Sequence, residues 1–425
     1  MNLSFLVPFC ISTLMIVMLF YYLTKSNKII LSFNQALLIL IIKCIVGCVY
    51  GYLFLKVYKG DDTWQYHQLS LQEYAVLKQH PWDFFADLFV HHYKQSQTLT
   101  FFNSQSSYWK DLQYNILIKL LAIFNLFSRG HYYINVLFFN VVTFWGHYFL
   151  YKLIVSYLPD RKQLLFLVIF LFPPLLFWES GIRKDGLIFP AITGCIYYFT
   201  VYVQSKGLKP LFLCFIFFGL TFLIRNFVAL SLVPVFIAYY ISVVYKKKAA
   251  PVFMITLGTA CILFFLTTFA PDNLNLPKQM AERQHKFLQL KGNSFLEIET
   301  LTDNVLSYIK DLPAAVNHSF LRPYITEGKS PLLLVAALEN LLMIVIIIIA
   351  LINYHSLLNI LKQPIWLLLI SFSILNYLMI GYTVPFFGAI IRYRILFEVL
   401  LIIPLMDCAD KKYLVCKIPL LNKIV

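Results

Sequence analysis

Runs of about 20 apolar residues, the length that crosses a bilayer's hydrocarbon core as a helix, recur along this chain and leave it little choice of solvent. They suggest spans at 3–23, 35–56, 131–155, 163–178, 186–204, 210–224, 227–246, 250–270, 332–353, 364–382 and 391–408. The chain has 425 residues, 60% hydrophobic and 13% charged. A soluble protein built around one large core does not need uninterrupted runs of this kind. The fold class expected is therefore an all-α polytopic membrane protein with about eleven spans. The first run lacks a basic leader and a small-residue cleavage site, so it is expected to be retained.

The basic residues orient the spans. With Lys25 and Lys28 inside, every second connection is cytoplasmic, and those connections hold Arg161 and Lys162, Lys206 and Lys209, Lys246 to Lys248, and Lys362. The tail adds Lys411, Lys412, Lys417 and Lys423. One consistently basic side is the signature of a cytoplasmic face. It absorbs most of the +15 net charge, so no nucleic-acid partner is implied. Eight cysteines show no CxxC pair and no Cys/His ligand spacing, which argues against a disulfide framework or a zinc site.

The alternation leaves two long outer loops, 57–130 and 271–330. Ser70 and Glu73 stand at capping-box spacing and predict a helix start, and NILIKLLAIFNLFSRG predicts a helix on the membrane surface. In the second loop Leu301, Val305, Tyr308, Ile309, Leu312 and Val316 recur at helical spacing. The expected organisation is an N-terminal membrane module at 1–270, a helical outer loop at 271–330 and a C-terminal membrane module at 331–425 with a cytoplasmic tail. The two loops would form a lid over an outward cleft.

Short outer connections should be poor in Lys and Arg. Here they carry Arg183 and Lys184 in FWESGIRKDGLIFP, Arg225 in FLIRNFV, and Arg392 and Arg394 in AIIRYRILFE. Charge near the bilayer core costs several kcal/mol unless paired or hydrated. Five misplaced cations at one edge suggest a site for a strongly anionic group, because the Arg fork matches phosphate oxygens. The competing reading is that each snorkels to headgroups or pairs with Glu179, Asp185 or Glu398.

The acids fit the same edge. Asp61 and Asp62 follow the second span, with His67 one to two turns on, and Asp185 approaches from elsewhere in the sequence. A carboxylate held there can accept the proton of an attacking hydroxyl; capping a loop helix is the alternative. Glu339, inside a span, is a candidate partner for Arg225 or Arg392, and Arg322 stands just before that span.

An outer acid after an early span, a surface helix ending LFSRG, then FPPLLFWESGIRKDG, together resemble the first half of polyprenyl-phosphate-dependent integral-membrane glycosyltransferases of the GT-C class. RYRILFEVLLIIP resembles a segment of their last spans. FLRPY, ALENL and SGIRKDG resemble blocks in bacterial envelope-polysaccharide membrane proteins. The resemblance implies inverting sugar transfer from a polyprenyl-(pyro)phosphate-linked donor to a glycan or lipid acceptor, on the outer face of a bacterial cytoplasmic (inner) membrane. It makes Asp61 or Asp62 the first-loop acid and Asp185 the second-loop acid, with Arg183, Lys184 and Arg392 on the carrier phosphate. Arg225, Arg322, Arg394, His67 and Glu339 complete the candidate substrate site. No cofactor is required, and a divalent cation is left open. One more span precedes the acids here than is usual in that class. A polysaccharide polymerase or ligase would use the same cleft, whereas a flippase or transporter would need charged or broken mid-span segments in pairs.

Overall fold

A computed structural model of the chain describes residues 3–58, 60, 62–86, 108–272, 274–290, 292, 294–328, 330–352 and 358–408. Asp61 and the basic tail residues therefore lie outside the described residues. The described residues are helical apart from turns and one isolated bridge between Phe295 and Phe386. Seven helical stretches are long and apolar enough to cross a membrane: Ser4–Lys25, Phe33–Val57, Lys184–Ser205, Asn226–Val244, Ala249–Phe269, Pro331–Ala350 and Pro364–Thr383. The helix pair Pro159–Phe170 and Pro173–Ser180, bent by 48°, has the length and composition of a broken span or a re-entrant loop.

The other expected spans are helices of different character. Tyr132–Val155 interrupts its apolar residues with Asn135, Asn140, His147 and Lys152. Leu208–Ile224 is short at 17 residues, and Phe387–Cys408 carries Arg392, Arg394, Glu398 and Asp407.

The chain divides into two compact units, Met1–Asn226 and Phe227–Val425. The first contains α1 (Leu3–Lys25), α2 (Phe33–Tyr52, running into a π-helical turn at Leu53–Val57), α3 (Asp62–Gln79), α4 (Pro81–Ala86) and α5 (Tyr108–Ser128). It continues with α6 (Tyr132–Val155), α7 (Lys162–Phe170), α8 (Pro173–Ser180), α9 (Lys184–Ser205) and α10 (Leu208–Ile224). Helix α2 packs against α6 and α8, and α6 against α9. Gly47 allows this: a Cβ there would overlap the Ser180 carbonyl and crowd Val136 and Asn140.

The first outer loop differs from its expected layout. Helix α3 starts at Asp62, not Ser70. An acid in the first turn suits the positive end of the helix. Ser70 sits mid-helix with its hydroxyl donating to the His67 carbonyl at 2.7 Å, so it caps nothing. Glu73 instead accepts from Lys119 at 2.9 Å, which ties α3 to α5. Tyr66, Leu117, Ile118, Leu121, Tyr132, Val136, Phe139 and Ile182 form one buried cluster beneath that tie.

The second unit holds α11 (Asn226–Val244), α12 (Ala249–Leu266), α13 (Leu276–Leu288), α14 (Val305–Val316), α15 (Pro331–Ile352), α16 (Pro364–Thr383) and α17 (Phe387–Cys408). Helices α16 and α17 pack together, with α14 against α16 and α15 against α17. Helix α14 begins at Val305, capped by the Asn304 side chain, so Leu301 precedes the helix it was expected to join. Leu301 is buried outside any helix, its N–H donating to the side-chain amide oxygen of Gln284 at 2.7 Å.

Candidate functional site

The opening charges of α9 owe their place to how the chain leaves α8. After Ser180 the backbone is extended at Gly181 and Arg183, and α9 begins at Lys184. Asp185 thus lies in the first turn of α9, where exposed N–H groups favour an anion. Arg225 occupies a second break, at the C-terminal end of α10. Asp62 is the first residue of α3, and Tyr50 comes from α2.

These four elements bring their side chains into one network. Arg225 pairs with Asp185 Oδ1, and Arg183 Nε lies 3.8 Å from Asp185 Oδ2. Arg183 also donates to the Tyr50 hydroxyl and reaches Asp62 Oδ2 at 3.5 Å. The Asp185 and Arg183 side chains are 6% and 4% exposed, whereas Asp62 is 56% exposed. Asp185 is thus a buried brace between two guanidinium groups, and Asp62 is the carboxylate open to solvent. The Trp178 and Tyr50 rings flank the Arg183 guanidinium at 5.9 and 6.0 Å.

Lys184 Nζ stands 4.6 Å from the Tyr114 ring centroid and 5.7 Å from that of Tyr66. Burial pushes the Tyr66 hydroxyl up, and the Asp62 charge adds to it, so Tyr66 stays neutral. Among the described residues the cluster thus sets three cations beside two carboxylates.

His67 stands apart from this chemistry. It is 6% exposed, with its ring edge-on to Trp64 and Tyr132 at 5.8 and 5.4 Å. Burial lowers it to about 4, with a smaller push from His131. At neutral pH it is therefore uncharged and adds no positive charge to the cluster.

In the second unit the expected cations serve different ends. Arg394 is 1% exposed and donates from Nη1 to the Ser319 and Arg322 carbonyls at 3.2 and 2.7 Å. Its Nε lies 3.9 Å from Glu398 Oε2. Through Nη1 it braces the π-helical turn Asn317–Leu321. Arg322 pairs with Glu327 through Nε at 2.9 Å and also through Nη2. Burial raises the Glu327 carboxyl, but hydrogen bonds from Arg322 and the Tyr324 N–H outweigh it and hold the group below the usual carboxylate range. Arg392 donates to the Tyr393 hydroxyl at 3.1 Å. Glu339 has Glu398 and Arg394 as its electrostatic neighbours, not Arg392.

The structure therefore gathers Asp62, Arg183, Lys184, Asp185 and Arg225 in the first unit, and Arg322, Glu339 and Arg394 with Glu327 and Glu398 in the second. Tyr50 was not legible as a site residue, because a tyrosine inside an apolar run carries no signal of its own. No group of three metal-ligating side chains occurs among the described residues. No protein-family model, curated protein or solved structure matches the chain.

Proposed function

We propose that the chain is a multi-pass glycosyltransferase of about eleven spans in a bacterial cytoplasmic membrane, acting on the outer face on a polyprenyl-(pyro)phosphate-linked sugar. The observation that supports this reading is the Asp62–Arg183–Asp185–Arg225 network beside Lys184, with its one exposed carboxylate.

The donor phosphate exchanges for Asp62 on Arg183. That contact, at 3.5 Å, is the most exposed in the network, because the Asp62 side chain is 56% exposed. Arg225 and Lys184 add charge beside it, while Asp185 holds both guanidinium groups in place. Released from Arg183, Asp62 accepts the proton of the acceptor hydroxyl. The hydroxyl oxygen bonds to the anomeric carbon as the bond from that carbon to the phosphate oxygen breaks. The departing lipid phosphate keeps the electron pair, and the arginines stabilise its charge. Inversion at the anomeric carbon follows from the single displacement.

A polymerase or ligase would run the same displacement with a whole lipid-linked repeat unit as donor. Glycan chain length in a deletion strain separates the two: a missing sugar supports the transferase, and short single units support the polymerase. The transfer reading itself is tested with Asp62→Asn and Arg183→Gln in purified full chain. Both should fold and lose transfer; normal transfer by both would end the proposal.

A further inference from the structure

Below the outer-edge network the first unit buries a second polar group that the proposed reaction does not use. Lys43 on α2, Glu179 and Ser180 at the end of α8, and His147 on α6 are all 0% exposed. The Lys43 Nζ, both Glu179 carboxylate oxygens, the Ser180 Oγ and the His147 Nε2 have no hydrogen-bond partner among the described residues. Charges at this depth are conserved in energy terms only when paired or hydrated, since an unsatisfied buried polar group costs several kcal/mol.

The register of α2 against α6 brings them together. Gly51 abuts the Tyr132 ring, and Gly47 abuts Val136 and Asn140. The helices run antiparallel, so the next turn of α2 places Lys43 level with Asn140 to Phe144, and His147 follows about one turn on along α6. Asn140 Nδ2 donates to the Ser180 carbonyl at 3.1 Å, which fixes the end of α8 against the same seam. Lys43 has Glu179 as an electrostatic neighbour, and His147 has Lys43. Lys43 stands ten residues into α2, and at about 1.5 Å per residue that is about 15 Å, the middle of a bilayer core.

The hydrogen-bonding roles of the four side chains are complementary. His147 Nδ1 lies 3.1 Å from the Thr143 carbonyl, which can only accept, so Nδ1 carries the hydrogen and Nε2 is a bare acceptor. Lys43 offers three donors, Glu179 offers acceptors only, and Ser180 offers both. Lys43 and Glu179 form no direct ion pair. Water with two to four polar partners is the species that satisfies such a set.

We propose that Lys43, Glu179, Ser180 and His147 enclose an internal water site in the membrane core, and that water bridges Lys43 to Glu179 as a proton-exchanging pair. A proton leaving the Lys43 ammonium through the bridge and arriving on the Glu179 carboxylate gives an amine and a carboxylic acid, so the pair is neutral overall in either form. Glu179 is also an electrostatic neighbour of Asp185 and Arg225. The position of the proton within the pair therefore sets the charge on Glu179, the member that faces the outer-edge site, while the sum over the pair stays at zero. The inference stands on burial and register, and does not depend on the transfer reaction.

Pulsed hydroxyl-radical labelling of the full chain in lipid nanodiscs, read by mass spectrometry, tests the water site without a substitution. His147 should gain oxygen as exposed His80 does, while Phe144, equally buried on the same helix among aromatic rings, should stay unlabelled. His147 as inert as Phe144 would overturn the water site. The pairing is tested by the thermal unfolding midpoints of Lys43→Met, Glu179→Gln and the double variant. Each single change should lower the midpoint and the double variant should regain most of the loss. A double variant that loses the sum of the two would overturn the pairing.

Discussion

Asp62 and Asp185 look alike in sequence, as acids beside cations at a span end, yet their surroundings divide the work. Asp185 is enclosed by Arg183 and Arg225, so Asp185→Asn should break a buried ion pair and cost about 3–5 kcal/mol. Thermal unfolding in detergent would show this as a large drop in midpoint. Asp62→Asn should leave that midpoint close to wild type while reducing transfer about 10²-fold or more, the range for losing a general base. Reversed outcomes would exchange the roles of the two acids. His67 makes a separate prediction. Its folded value of about 4 lies below the ordinary value of 6.5, so between these pH values the unfolded chain binds the extra proton. Stability should therefore fall as pH drops from about 6.5 toward 4, and His67→Phe should flatten that slope in pH-resolved melts. The outer-edge cations were legible at this scale because Lys and Arg break the membrane charge rule. Their partners were not, because which acid a given Arg reaches depends on chain reversals at Gly181 and Arg225 that leave no periodic mark.

At the scale of helices, apolar length carried most of the information, and side-chain pairing overrode it where the two disagreed. Ser70 and Glu73 have the spacing of a cap, but each has a tertiary partner on α5: the Ser70 hydroxyl accepts from Asn125 and Glu73 accepts from Lys119. Lys119 also donates to the Phe84 carbonyl at 2.8 Å, so one buried ammonium joins α3, α4 and α5. Helix α13 was missed because Leu276–Leu288 is largely polar and sits outside any apolar run. The seam between α2, α6 and α8 gives a test at this scale. Gly47→Ala should drive a methyl into the backbone carbonyl of Ser180, which cannot rotate away. Overpacking of this kind costs about 1–3 kcal/mol, and the loss should appear as a lower unfolding midpoint and poorer yield in membranes. Gly60→Ala, where a Cβ meets nothing, is the matching control.

For the molecule as a whole, the alternation of basic connections was readable from sequence alone, and it places Lys206, Lys209 and Lys246 to Lys248 on one side of the membrane. Single cysteines at positions 206 and 247 should react with impermeant thiol reagents only from the cytoplasmic side, and a cysteine at exposed Trp82 only from the outside. Labelling of 82 from the cytoplasm would invert the orientation on which the transfer reading rests. The charge network draws on residues from 50 to 225, far apart in the chain, and the helix packing of the first unit supplies the proximity that no local pattern encodes. The central claim is that this network holds the phosphate of a lipid-linked sugar while Asp62 takes the acceptor's proton. Sugar release from a synthetic polyprenyl-phosphate-linked donor, measured with purified full chain in nanodiscs, tests it directly. Wild type should transfer with inversion and Asp62→Asn should bind the donor but transfer about 10²-fold more slowly or less; equal turnover by the two proteins would contradict the account.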